Sequence, residues 1–431
     1  MPEANATCAV HALPIGPTMR EQLTHGTDDR GLNWGTGDEV HSACNTAHLI
    51  SLPLEIEFIV PQITNAPLRL LTLVGTAEIG GTERFVAALM AGLDRREFAP
   101  AICVVNGPGD FSEPYARSAD ALWHLGRGGV SAPLMLAAWQ DVLLSWRPDL
   151  LMLCGFRANM IGRFINGGVP VINALRSIVL DDKGRRLAHW IDRVTFGRVA
   201  MCVSNSRAAI DRHVAAGFPA DRFEWIQNGV DVPRFRRPHR ADVRTHFGVA
   251  HDDRIVLTVA NLRPVKNLPL LLQASRRLHD FGVMHTVWIV GEGPDREVLT
   301  ALAADLGLSA SVQWLGAATD IPERYAAADV FVLSSHFEGM PTVVIEAFAA
   351  GLPVVATSVG DVPLLCRDTG LLVPPGDDVA MAQALQRILT DVPFRDSLRA
   401  SARMVGEGFS LARMTEKYSE VFRRTARRRR P

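Results

Sequence analysis

Cysteine is sparse and unclustered in this chain. Cys8, Cys44, Cys103, Cys154, Cys202 and Cys366 are scattered over 431 residues with no CxxC pair and no Cys/His cluster. Neither a disulfide framework nor a zinc site is therefore predicted, and buried thiols in a reducing compartment are. A long apolar run is also missing. The best run near the start, HLISLPLEIEFIV (48–60), is broken by Pro53, Glu55 and Glu57. No segment reaches the roughly 18 uninterrupted apolar residues of a membrane span. The opening MPEANATCAV has neither the basic stretch nor the apolar core of a signal peptide, so the expectation is a cytoplasmic protein. A net charge of −1 supplies no global field to draw nucleic acid, and no nucleic-acid partner is expected.

What is present is a globular composition, 48% hydrophobic and 21% charged, in a chain too long for one comfortable core. Charge collects at the two ends. Residues 1–66 carry Glu3, Glu21, Asp28, Asp29, Asp38, Glu39, Glu55 and Glu57 against Arg20 and Arg30, with several turn clusters and no sustained period; they read as a partly disordered extension. The last residues hold Arg423, Arg424, Arg427, Arg428, Arg429 and Arg430 with no acid among them.

Regular alternation begins at Leu68. LRLLTLV, AICVVNG, DLLMLCG, VPVINAL and AMCVSNS read as buried strands. FVAALMAGL, PLMLAAWQDVLLSW and NMIGRFING (159–167) between them have helical spacing. The pattern lapses around 228–248, where NGVDVPRFRRPHRADVRTHFG is rich in charge and proline, and then restarts with RIVLTVA, HTVWIVG, SVQWLG, VFVLSS and PVVATS as strands. Strands alternating with helices predict parallel, doubly wound sheets. The expected architecture is α/β, two Rossmann-like domains facing across a cleft. Its parts are an extension (1–66), a first domain (67–235), a second domain (236–409), and a terminal helix with a basic tail (410–431) packing back toward the first domain. Ligands in such folds sit at the carboxyl ends of the strands.

HFEGMPTVVIEAFAAG (336–351) carries the chemistry. Pro341 suits a helix start and Gly351 a helix end. The free N–H groups around Gly339, Met340, Pro341, Thr342 and Val343 then form an anion site at a strand end, most naturally for phosphate. Glu338 and Glu346 flank it. Carboxylates repel phosphate but accept strong hydrogen bonds from sugar hydroxyls, so a ligand with hydroxyls on both sides of a diphosphate, a nucleotide sugar, fits. NLRPVKN (261–267) supplies Arg263 as a planar fork and Lys266 as a point charge for that diphosphate. Taken singly, the glutamates read equally as solvated residues and the basic pair as loop charges; their convergence at strand ends of one half favours a site. Glycoside hydrolysis by a carboxylate pair leaves the phosphate-type helix start and the basic pair unexplained.

HFEGMPTVVIEAFAAGLPVVATSVG resembles the E-x7-E signature of the retaining glycosyltransferases of family 4, which have the GT-B fold. The resemblance covers residues 68–425 and includes IGGTERFVAALM, IQNGVDVPRF, NLRPVKN, VGEGPDRE, VQWLGAATDIPERYAAADVFVLSS and TGLLVPPGD, in the family's order. It implies transfer of a hexose-type sugar to a glycan, lipid-linked or small-molecule acceptor, as in polysaccharide biosynthesis, with retention, no metal and no cofactor beyond the nucleotide-sugar substrate. Arg263 and Lys266 would neutralise the diphosphate. Glu338 would hold the sugar and Glu346 the ribose, and the Gly80–Gly81 loop would close over the phosphates. Two departures stand out. The family's arginine usually lies five residues before the lysine, where this chain has Asn261. Cys154 and Arg157 occupy positions where histidines are common. His124 reads as structural, and Arg176 as either structural or acceptor-facing. A nucleotide-sugar epimerase of the same fold and a non-catalytic sugar-nucleotide binder remain as alternatives. KGRRLAHWIDRVTFGR (183–198), with Trp190 and Phe196, and the arginine tail read either as solvated surface or as a peripheral contact with an anionic membrane.

Overall fold

The computed structural model describes residues 66–126, 132–176, 186–250, 252–367 and 369–427, with only the backbone of residues 186–189. The expected extension and Arg428, Arg429 and Arg430 lie outside these residues. Two parallel sheets organise the rest. The first contains β1 (Leu68–Val74), β2 (Phe98–Val104), β3 (Ala121–His124), β4 (Leu150–Cys154), β5 (Val171–Leu175), β6 (Met201–Ser204) and β7 (Phe223–Trp225), in the order 3-2-1-4-5-6-7. The second contains β8 (Ile255–Val259), β9 (Thr286–Val290), β10 (Val312–Gly316), β11 (Val330–Leu333), β12 (Val354–Thr357) and β13 (Gly370–Val373), in the order 10-9-8-11-12-13. Every pairing within these sheets is parallel. Helices cover both faces, which is why central strands such as β4 read as unbroken apolar runs, all five residues buried.

The strand order reverses between β1 and β4 in one sheet and between β8 and β11 in the other. Each reversal opens a crevice at the carboxyl ends. The elements that the sequence pattern passes over include edge strands, one long polar helix, and the shorter helices Ser112–Ser118, Arg207–Ala215, Arg240–His246 and Val362–Cys366. β3 and β7 are half-buried throughout and β13 nearly so, which weakens their apolar signal. The helix Val392–Glu407 buries only Leu398, Ala402 and Gly406. The helix expected at 159–167 begins earlier, as Phe156–Gly162.

The chain crosses between the halves twice. It leaves the first sheet through residues 226–236, and after the helix Val392–Glu407 it returns. There Val230 bridges Ser410, and Gly229 lies so close that a Cβ on it would sit 2.7 Å from the Ser410 carbonyl. The helix Leu411–Arg427 then packs on the first half. Tyr418 lies against Phe85 with ring centroids 5.4 Å apart, and Phe422 against Phe98 at 6.1 Å. Arg423 pairs with Glu97 at 2.9 Å, and Arg424 pairs with Glu224. Two of the six arginines of the expected membrane tail, Arg423 and Arg424, are thus engaged within the molecule.

Candidate active site

The second crevice is built by three loops. The loop after β8 carries Asn261 to Asn267 and is held against the loop after β9. Leu262 donates to the Glu292 carbonyl at 2.9 Å, and a Cβ on Gly291 or Gly293 would meet the Ala260 or Leu262 carbonyl at 2.0 or 2.4 Å. The GEG triplet therefore serves close backbone approach. The loop after β11 carries Ser334 to Pro341. It is stitched to the first by His336 N to the Val265 carbonyl at 2.9 Å and by Ser334 Oγ to the Lys266 carbonyl at 2.9 Å. The loop after β12 lies over both. Gly360, with φ +52°, has its Cβ position 1.9 Å from the Glu338 carbonyl, so only glycine fits there.

These constraints bring Lys266 and Glu338 together, across 72 residues of sequence. Lys266 Nζ donates to Glu338 Oε1 at 2.7 Å, and Ser335 Oγ donates to the same oxygen at 2.6 Å. The sequence assigns these two side chains to different parts of the ligand; the structure makes them one ion pair at the switch point of the sheet. Arg263 is exposed, and its side chain makes no hydrogen bond or ion pair among the described residues.

The helix after this loop runs Thr342–Ala349, with Pro341 as its N-cap in extended backbone, one position earlier than the reading of Pro341 inside the first turn. No side chain caps this end. Met340 and Pro341 are buried, while Gly339, Thr342 and Val343 are half-buried, so any ligand contact from Met340 or Pro341 runs through backbone. Gly351, at φ +71°, ends the helix after Ala350. Four residues into the helix, Glu346 Oε2 accepts from the Tyr325 hydroxyl at 3.1 Å, and the same hydroxyl reaches the Val343 carbonyl at 2.9 Å. Burial pushes the Glu346 carboxyl up to about 7, while Arg84, the Tyr325 hydroxyl and Arg234 pull it back. Arg84 belongs to the helix Gly81–Gly92 of the first half, so a first-domain cation acts on a second-domain carboxylate.

Other contacts join the halves around the same loop. Asn228 Nδ2 donates to the Met340 carbonyl at 3.0 Å and to Thr342 Oγ1 at 3.1 Å. Buried Asp361 accepts from the backbone N–H groups of Arg207 and Ala208, at 2.6 and 2.9 Å, at the start of the helix Arg207–Ala215. A second-domain carboxylate therefore adds two bonds to a first-domain helix start that Ser206 caps, its Oγ accepting from Ala209 N at 3.1 Å. In the first half, Gly80 caps the helix Gly81–Gly92 without side-chain help, and a Cβ on Gly81 would meet nothing within 4 Å. Arg157 donates to Asn106 at 2.7 Å, and Arg176 lies over the Phe85 ring at 3.7 Å.

Sequence reasoning missed Tyr325, Asn228, Gly360, Asp361, Ser335 and Arg84 as parts of the site. Asn228 and Tyr325 do lie in the quoted segments IQNGVDVPRF and VQWLGAATDIPERYAAADVFVLSS, but nothing in local pattern says that either reaches a helix more than fifteen residues away. Among the described residues no group of three or more His, Cys, Asp or Glu is placed to hold a metal ion, and no helix is long and apolar enough to cross a membrane.

Two parallel-sheet domains of this topology define the GT-B fold. Residues 79–234 match the family model Glycosyltransferase Family 4, and residues 240–405 match that of Glycosyl transferases group 1. HepE from Anabaena, solved with UDP and glucose, superposes with a TM-score of 0.73 at 21% identity over 82% of this chain and 99% of that one. Sucrose-phosphate synthase from Thermosynechococcus elongatus does so with a TM-score of 0.73 at 19% identity over 83% and 98%. The fold is GT-B, and each half matches a glycosyltransferase family model. Among named relatives, D-inositol 3-phosphate glycosyltransferase of Saccharomonospora viridis is 33% identical over 47% of this chain and 50% of its own length; the match spans about half of that relative. Lipopolysaccharide core biosynthesis glycosyltransferase LpsE of Rhizobium meliloti is 27% identical over 79% of this chain and 95% of its own.

Proposed function

We propose that the protein transfers a hexose-type sugar from a nucleotide sugar to a hydroxyl of a glycan, lipid-linked or small-molecule acceptor, with retention at the anomeric carbon and without a metal ion. The observation that carries this reading is the Lys266–Glu338 pair at the switch point, with Glu346 and the uncapped helix start at Thr342 beside it. Lys266 and Arg263 place positive charge where the departing diphosphate gains negative charge, which lowers the barrier to its departure. The carbon–oxygen bond to the diphosphate breaks, a bond to the acceptor oxygen forms, and the acceptor's proton passes to the leaving phosphate. Glu338 binds the sugar and Glu346 the ribose, so the seven residues between them span the donor. The Gly80–Gly81 turn, with open space above Gly81, closes over the phosphates. Holding both substrates in one closed cleft supplies proximity. The epimerase alternative is not favoured by relatives named as glycosyltransferases.

Incubation with UDP-, GDP- and dTDP-sugars, with and without EDTA, tests this. The expected result is donor turnover that EDTA leaves unchanged, with an acceptor product of the donor's own anomeric configuration. Turnover to a second free nucleotide sugar would establish an epimerase instead, and binding of every donor with no turnover a non-catalytic protein. For the peripheral membrane reading, the helix Arg186–Thr195 offers exposed apolar groups, Trp190 at 61% and Val194 at 59%, while Phe196 is buried. Trp190→Ala should halve or abolish flotation with anionic vesicles; equal flotation of both forms removes the idea.

A further inference from the structure

A cavity of about 510 Å³ lies beside the linker, away from the donor crevice, lined by Arg236, Arg237, Arg240, Arg399 and Arg403. Five guanidinium groups here face two carboxylates. Arg236 is engaged by Glu407 and by the Arg403 carbonyl at 2.8 Å. Arg240 is engaged by Asp329 at 2.7 Å and by the carbonyls of Ala326 and Ala327 at 3.0 and 2.9 Å, ending the helix Ile321–Ala327. The other three are less committed. Arg399 reaches Asp329 only at 3.5 Å, and its Nε is buried with no hydrogen-bond partner. Arg237 and Arg403 are exposed and their side chains make no ion pair among the described residues.

Asp329 does not explain this accumulation, since Arg240 and Arg244 already serve it, the latter at 3.4 Å. The carboxyl ends of the helices Ile321–Ala327 and Thr342–Ala349 reach the cavity through Ala326, Ala328, Ala350 and Gly351. Each contributes about half a negative charge, less than the excess of guanidinium groups over carboxylates here. Burial holds Arg240 down to about 10, with Asp329 opposing and Arg399, Arg244 and Arg395 adding to the depression. A multivalent anion would relieve that crowding and satisfy the orphan donor.

We propose that this cavity binds a small polyanion carrying phosphate groups, with Arg237, Arg399 and Arg403 as its donors. Planar guanidinium forks match phosphate oxygens two at a time, and the volume falls in the range of small-ligand sites. The cavity also touches the machinery of the other crevice. Tyr325 lines it, and the hydroxyl of that residue is the one bonded to Glu346.

Calorimetric titration of the full chain with inorganic pyrophosphate, in about 0.15 M sodium chloride to screen loose surface binding, is the test. Lys266→Ala removes the donor-site cation and separates the two locations. The expected result is that Lys266→Ala still binds pyrophosphate, and that adding Arg237→Gln/Arg403→Gln to Lys266→Ala weakens this binding at least about tenfold. Undiminished affinity in that triple variant, or no binding by Lys266→Ala, would each overturn the site. Matching thermal melts of the unliganded proteins check folding. Arg237→Lys/Arg403→Lys, which keeps the charges and removes the forks, serves in the same background if the glutamine pair melts early, and must then bind more weakly than Lys266→Ala.

Discussion

The two sheets share a strand plan and differ at their carboxyl ends. In the second half the polar groups are bonded to one another: Lys266 to Glu338, Ser335 to Glu338, Tyr325 to Glu346. In the first half several are buried with no hydrogen-bond partner, including the hydroxyls of Tyr115 and Tyr418 and the Nε and Nη1 atoms of Arg176. The segments that follow β3 and β5 there, 127–131 and 177–185, lie outside the described residues. The second half holds a crevice that constrains its own side chains, while in the first half Arg176 rests over the Phe85 ring.

The sharpest way to break the comparison is at the second crevice. Lys266→Ala and Glu338→Ala should each lower kcat/KM by about 10²–10³-fold, the scale seen when a preorganised charge or donor is removed, with the fold unchanged by circular dichroism. Wild-type rates in either variant would dissolve the site. A glycine pair compares the halves directly. Gly360→Ala meets the Glu338 carbonyl at 1.9 Å in a left-handed backbone, and should lower stability by about 1–3 kcal/mol in urea unfolding. Gly81→Ala, with open space around it, should stay within about 0.5 kcal/mol. Equal losses would contradict the picture of one tight and one open half.

The joint between the halves gives a smaller effect. Asp361→Ala removes the acceptors of Arg207 N and Ala208 N, leaves the Ser206 cap of that helix in place, and should cost about 0.5–1.5 kcal/mol. It should also expand the molecule in solution scattering, and an unchanged radius would mean that these bonds do not hold the halves. Smallest is a pH effect. Glu346 has its folded-state pKa raised to about 7 from an ordinary 4.5, so the folded protein holds that proton more tightly than the unfolded chain. Its stabilising share is present below about pH 4.5 and is lost as pH rises through 7. Glu346→Gln should flatten that decline in melting temperature, while in the wild type donor affinity should improve as the carboxylate forms. A variant whose pH profile matches wild type would remove Glu346 as the titrating group.

Much of the architecture was legible because parallel strands buried on both faces leave continuous apolar runs, as in LLMLC and IVLTV. The donor crevice was legible through glycine and proline around charged residues at strand ends. What local pattern could not carry is distance in the chain. Asp361 reaching Arg207, Asn228 reaching Thr342 and Lys266 meeting Glu338 each depend on how two loops are brought together. The edge strands escaped because half-exposed residues dilute the periodic signal, and Tyr325 looked like one more apolar residue of a short helix.

The return of the helix Leu411–Arg427 to the first half has a consequence for biosynthesis. Met414, Tyr418, Val421 and Phe422 belong to the same buried cluster as Leu70, Phe85 and Phe98. A ribosome makes those last side chains only after the whole second sheet, roughly ten to thirty seconds later at ordinary elongation rates. Until then the domain made first has an apolar flank with nothing on it. The chain's first domain to emerge is thus its last to be completed, and a stalled or truncated product would display a sticky, half-closed core rather than a finished domain.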